Sequence, residues 1–156
     1  MSISYRLVTI EDYDGIFALW NSTEQSRRAL NPVDDSRESI ARYLKRNPNT
    51  CFLAVSKDGS GDAEEVAGVI LTGHDGRRGI VHHLCVHPAY RREGVATTLV
   101  QKAEDALRAE GISKIFGLVF KDNDPANAFW ESQGYTLRTN LNYRNKSLNK
   151  DVPTGE

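Results

Sequence analysis

The segment that most constrains this chain is Val86-His87-Pro88-Ala89-Tyr90-Arg91-Arg92-Glu93-Gly94-Val95-Ala96. It joins an apolar run, 80–86, to a helix-forming stretch, 95–110, through a turn that contains glycine. A buried strand that feeds a helix in this way commits the domain to an α/β arrangement. It also makes a place for an anion, because the amides of a first helical turn have no partner inside the helix and sit at the positive end of its dipole. Gly94 and the small Ala96 leave the backbone open to close approach by a diphosphate. Arg91 and Arg92 add forked donors at the rim. Many proteins use the same kind of turn only to pack a helix on a sheet, so the segment by itself leaves both readings open. It lacks the three glycines of a dinucleotide fingerprint and the Lys-Ser/Thr pair of a P-loop, which argues against those two sites.

The rest of the chain alternates between strand and helix patterns. Residues 3–7 read as a half-buried strand, and Thr9 with Asp12 reads as a capping arrangement that opens a helix running to Trp20. Asp35 with Glu38 repeats the cap signal before an amphipathic helix, 36–45, with Ile40, Tyr43 and Leu44 on one side. The polar stretch between them, 21–34, contains Pro32 and reads as a surface connection of the kind that carries substrate contacts. Residues 51–55 and 66–71, joined by a turn-rich 57–62, read as antiparallel strands, and a second turn, 73–79, delivers the strand 80–86. Then come the helix 95–110 closed by Gly111, a strand 114–119, a helix 125–133 closed by Gly134, and strands at 135–137 and 142–148. One domain over 1–148 follows, with a polar, flexible tail at 149–156.

Composition removes several classes of partner. With 20 Lys and Arg against 21 Asp and Glu, the formal charge is −1, so no basic field draws in nucleic acid and no polybasic stretch holds an anionic membrane. No apolar run is long enough to cross a bilayer and the amino terminus lacks a signal-peptide pattern, so a cytoplasmic location is expected. Cys51 and Cys85 each sit in an apolar run and read as small core hydrophobes rather than a disulfide framework.

Arg91, Gly94 and Ala96 resemble the acetyl-CoA signature of the GNAT superfamily of N-acetyltransferases, in which Arg or Gln is followed three residues later by Gly and two after that by Gly or Ala. The preceding Leu84-Cys85-Val86-His87-Pro88 is similar to the strand and corner that lead into that signature. A second block, 123–135, resembles the family's downstream helix, and the turn 71–79 resembles that of small bacterial members. The resemblance implies a mixed, mostly antiparallel twisted sheet of about seven strands, helices on both faces, and a splayed cleft for acetyl-CoA. By the same likeness Leu84, Cys85 and Val86 would line the cleft, and backbone amides over Arg92, Glu93, Gly94, Val95, Ala96 and Thr97 would hold the pyrophosphate beside Arg91. Asn123, Ala126 and Trp130 would flank the thiol end of the cofactor. The implied partners are acetyl-CoA and an amine acceptor, without a metal.

Acetyl transfer to an amine needs the amine neutral, the thioester carbonyl polarised and the departing thiolate accommodated. His82 is the candidate base, matching a strand histidine of arylalkylamine-type relatives. Alternation would place it with Leu84 and Val86, while His83 lies with Cys85 and His87. A satisfied structural histidine is the other reading of either residue. That alternation also turns Cys85 away from His82 and disfavours an acetyl-cysteine intermediate. Adjacent strand histidines on opposite faces do not make a metal site. Where the family carries a tyrosine acid this chain has Trp130, with Tyr135 and Tyr143 as possible substitutes. That leaves an acyl-CoA sensor with little catalysis as the alternative function. The last strand, 142–148, offers an edge that could pair across a homodimer.

Overall fold

The computed structural model describes residues 2–57 and 64–155, so the turn expected at 57–62 lies, beyond Lys57, outside the described residues. β1 (Ser2–Leu7) runs into a short 3₁₀ turn and α1 (Tyr13–Trp20), and α2 (Glu24–Arg28) and α3 (Arg37–Arg46) follow. β2 (Phe52–Lys57), β3 (Glu65–His74) and β4 (Gly79–Val86) precede α4 (Val95–Ala109), β5 (Ile115–Gly117) and α5 (Asp124–Ser132). The strands lie in chain order in one sheet. Pairing is antiparallel from β1 to β4, and β4 pairs with β5 in parallel.

Helices cover both faces, as the sequence pattern requires. On one face Ile16, Leu19 and Trp20 of α1 and Ile40 and Leu44 of α3 pack against Leu53, Val55, Val69, Leu71 and Cys85. On the other, Val95, Leu99, Val100 and Ala103 of α4 pack against Ala54, Ala67, Ile70 and Val81. Leu99 is wholly buried, and a leucine so placed contributes about 1.5–3 kcal/mol. The close approach of α4 depends on Gly68, where an added Cβ would meet Val95 at 3.0 Å and Leu99 at 3.2 Å.

Four expectations are corrected. The sheet has five strands among the described residues, not about seven. β5 is confined to Ile115–Gly117, and neither 135–137 nor 142–148 forms a strand, because no sheet partner lies alongside them. The polar stretch 21–34 contains α2, capped by the Thr23 side chain, which accepts the Ser26 amide at 3.2 Å. The cap of α3 is Ser36, whose hydroxyl accepts the Ser39 amide at 3.2 Å. That leaves the carboxylate of Asp35 free to turn inward.

Candidate functional site

The site is made where the sheet comes apart. β4 and β5 are paired from Gly79 with Ile115 to Val81 with Gly117 and no further. Beyond that point residues 83–86 of β4 stay paired with β3 on one side and have no strand on the other among the described residues. At the same level the register between β3 and β4 shifts, with Leu71 opposite His83 and Thr72 opposite Val81. His82 is therefore an extra residue on β4, a β-bulge of the kind that bends a strand and re-aims a side chain.

The bulge overturns the placing of His82 with Leu84 and Val86, away from Cys85, and leaves His83 with Cys85 as expected. Val81, Leu84 and Val86 belong to the α4 face, whereas His82 stands edge-on to Tyr43 of α3, ring centroids 5.3 Å apart, and His83 packs on Trp20 of α1 at 4.5 Å. Both histidines are on the α1–α3 side, and so is Cys85. His83 Nε2 is 2.7 Å from Oδ1 of Asp35, and the other oxygen of that carboxylate accepts the Asn31 amide at 2.8 Å. Asp35 is 6% exposed, and a carboxylate so placed requires partners of this kind. The pair escaped the sequence reading because Asp35 read as a helix cap.

His82 keeps a solvent-facing edge, yet the protein crowding its ring lowers its pKa below the ordinary imidazole value. Burial is the largest cause and His83 adds to it, opposed by Asp35 and Asp34. The neutral imidazole, which can accept a proton, is thereby favoured. Cys85 is a poor nucleophile for a different reason than expected. Its thiol is pushed up mainly by burial and lies 3.2 Å from the Ser26 hydroxyl. Cys51, buried elsewhere, is pushed up to about 12 by burial.

On the opposite face the strand-to-helix turn has an unusual backbone. Gly94, the residue before α4, has φ +76°, and Arg92 has φ 68°, the one non-glycine with positive φ among the described residues. An L-residue in that region is strained. The first backbone bond of α4 is Thr98 N–H to Gly94 O, and no side chain caps the helix. An added Cβ on Gly94 would meet nothing within 4 Å. Open space thus lies in front of a helix start whose amides are free for an anion. Arg91, Arg92 and Glu93 are exposed at the rim, while Ala96 and Thr97 are half-buried.

α5 closes this side. Gln133 donates to the Thr97 hydroxyl at 3.3 Å, and Trp130 packs with Leu84 and Val86 against the core cluster containing Val95. Asn123 caps α5 by accepting the Ala126 amide at 3.3 Å. Asn127 donates to the carbonyls of Phe120 and Asn123, each at 3.0 Å, and so holds the chain that leaves β5. Tyr135 donates to Glu104 of α4 at 2.7 Å, and its pKa is raised first by burial and then by that bond. It packs in the α4 cluster and anchors the chain after α5 to α4. Tyr143 is 67% exposed and lies outside this cluster.

Across the open limbs of the sheet, on the α1–α3 side, lies α2. Ser26 meets Cys85 of β4, while Arg28 donates to Asp122 at 2.7 Å and stacks over Phe120 at 3.8 Å. Nothing in the polar pattern of 21–34 indicates a helix, so this bridge is visible only in the folded chain.

The acetyltransferase (GNAT) family pattern matches residues 14–135. The chain belongs to the GNAT acetyltransferase family. Its curated relatives include an acetyltransferase of Sodalis glossinidius, 32% identical over 146 residues, covering 94% of this chain and 96% of the relative. An acetyltransferase of Photorhabdus laumondii is 35% identical over 133 residues, covering 85% and 86%. Among solved structures, an N-acetyltransferase of Thermoplasma acidophilum in complex with coenzyme A superposes with TM-score 0.72 at 18% identity, covering 88% of this chain and 92% of that one. Ard1 of Thermoplasma volcanium gives TM-score 0.70 at 16% identity, covering 88% and 85%. This GNAT protein is an acetyl-CoA-dependent acetyltransferase. No described helix is long and apolar enough to cross a membrane.

Proposed function

We propose that the protein is an N-acetyltransferase, a single domain over 1–148, that passes the acetyl group of acetyl-CoA to a primary amine of a small molecule or peptide by direct attack in a ternary complex. The observation that carries this reading is the parting of β4 from β5 after Val81 and Gly117, with the uncapped start of α4 beside the freed strand. The donor's diphosphate fits the amides over 92–97 with Arg91 and Arg92 at the rim, and its pantetheine arm fits the unpaired edge of Leu84, Cys85 and Val86. The side chain of Cys85 faces the α1–α3 side, so its part in the cleft belongs to its backbone. Asn123, Ala126 and Trp130 close the far wall.

The thioester supplies an activated carbonyl with a good leaving group. The amine lone pair attacks that carbon, the C–N bond forms, the C–S bond breaks, and the amine must lose a proton. His82, with its lowered pKa and solvent-facing edge, is the group on the α1–α3 side suited to accept it, directly or through water. With Trp130 in the place of a tyrosine acid and Tyr135 committed to Glu104, the thiolate takes its proton from solvent.

The presence of Trp130 is also what a sensor that binds acetyl-CoA without turnover would show. Purified protein with acetyl-CoA and a broad panel of amines separates the two. Release of CoA above the solvent rate supports transfer, and tight binding without release under every amine supports the sensor.

A further inference from the structure

The α1–α3 side of the cleft carries an apolar strip that stays exposed. Ile115 belongs to the α4 cluster, and a Cβ on Gly117 would lie 3.7 Å from that of Val81 in the same cluster. Phe116 between them therefore points to the α1–α3 side, as does Ile80, its partner on β4. Phe120 lies under Arg28 of α2 on that side, so Leu118, midway between, continues the row. Phe116 is 44% and Leu118 59% exposed. The strip runs beside His82, whose neighbour Val81 pairs with Gly117. Exposed apolar surface next to a candidate base is what the apolar body of a substrate would cover.

The charges around the strip narrow the choice of substrate. Three carboxylates near it are engaged: Asp35 by His83 and the Asn31 amide, Asp34 by the Asn31 side chain at 3.1 Å, and Asp122 by Arg28. Arg42, Lys45 and Arg46, by contrast, line with Ser39 and Tyr43 a recess of about 560 Å³. None of these cations is paired with a carboxylate among the described residues, Glu38 one turn before Arg42 included. Tyr43 is also the ring that meets His82, so the recess begins one ring from the candidate base. Unpaired cations there attract an anion and repel a second ammonium. Building on the acetyl transfer to an amine proposed above, we propose that the acceptor is a hydrophobic α-amino acid. Its amine stands at His82, its side chain on Ile80, Phe116 and Leu118, and its carboxylate towards Arg42 and Arg46. R–NH2 and acetyl-CoA give R–NH–acetyl and the CoA thiol, the proton that leaves nitrogen reaching the thiolate by way of His82 and solvent. A polyamine meets the wrong charge at α3, and a peptide amino terminus brings no carboxylate there.

Steady-state release of CoA by the full chain with L-leucine, L-leucinamide, glycine and spermidine tests this. Leucinamide removes the carboxylate, glycine removes the apolar body, and spermidine adds cations. kcat/KM for leucine is expected to exceed that for each of the others by about tenfold or more. The margin over leucinamide runs against intrinsic reactivity, since without the carboxylate the amine is less basic and more of it is neutral. Arg42→Ala should bring leucine down towards leucinamide, and Leu118→Ser should bring it down towards glycine. Both side chains are exposed, so the melting temperature should stay within about 2 °C of wild type. Any of the three comparison amines matching leucine, a leucine preference untouched by both variants, or turnover confined to other amines would overturn the proposal and leave acetyl transfer standing. No turnover with any amine would overturn both.

Discussion

Replacement of Gly94 by alanine separates the cost of a strained backbone from the loss of a ligand site. Gly94 holds φ +76° and an added Cβ meets nothing within 4 Å, so the change introduces no clash and its cost to folding is the left-handed backbone alone, about 1–2 kcal/mol. Gly111, which closes α4, provides a matched control, with φ +82° and open space around its Cβ. Both variants should melt lower by roughly 2–8 °C, given that 1 kcal/mol corresponds to about 2–4 °C in a domain of this size. They should part company in calorimetry with acetyl-CoA. The strain at Gly94 tips the amides that begin α4, and loss of one charge-assisted hydrogen bond, about 1.5–3 kcal/mol, weakens binding by one to two orders of magnitude. Gly111→Ala should leave affinity unchanged. Equal affinities for the two variants at equal stability would refute the placing of the diphosphate at the start of α4.

His82→Gln tests the base. The folded pKa of His82 lies below the ordinary imidazole value of about 6.5, so kcat/KM for the wild type should fall on an acid limb below that pH, and the variant should lose the limb together with about ten- to a thousand-fold in rate. Because the unfolded chain binds this proton more readily, the contribution of His82 to stability is full above about pH 6.5 and is lost as pH falls towards the folded pKa. Thermal melts of wild type and variant across that window check the sign. Arg28→Ala should loosen α2 and raise the rate of Cys85 alkylation several-fold with Cys51 still protected, since the exposed ion pair and the stacking on Phe120 are each worth about 1 kcal/mol or less. Equal reactivity of both thiols would mean global opening instead. Tyr135→Phe should lower stability by about 1–3 kcal/mol through the lost bond to Glu104 and leave kcat unchanged. A collapse of kcat would restore Tyr135 as the acid.

Much of the α4 side of the sheet was legible because local chemistry decides it. Glycine marks the left-handed residue before α4, Asn123 caps α5, and the period of 95–110 turns its apolar side to the sheet. The α1–α3 side was less legible, since it depends on register and tertiary contact. No glycine or proline fixes the position of the bulge at His82, and alternation counted back from Leu84 and Val86 therefore puts that histidine on the wrong face, while it groups His83 with Cys85 correctly. α2 is too short for an apolar period to show, and its role comes from Arg28 reaching a residue ninety-four positions away. The strands expected at 135–137 and 142–148 have the composition of strands, but pairing is a property of neighbours and not of the segment.

A single extra residue on β4 accounts for most of what distinguishes this site. Had β4 run without it, alternation from Leu84 and Val86 would put His82 on the α4 side of the sheet, away from Tyr43. With it, His82 and His83 share one side, His83 has the carboxylate of Asp35, and the strand turns at the level where β5 departs. Burial of Asp35 without His83 would leave an uncompensated charge, a cost of several kcal/mol, so the pair fixes the loop before α3 to the strand that opens the cleft. Asp35→Asn should therefore disturb both the stability of the fold and the pH dependence set at His82, whereas a change at Gly94 should touch neither His82 nor its acid limb.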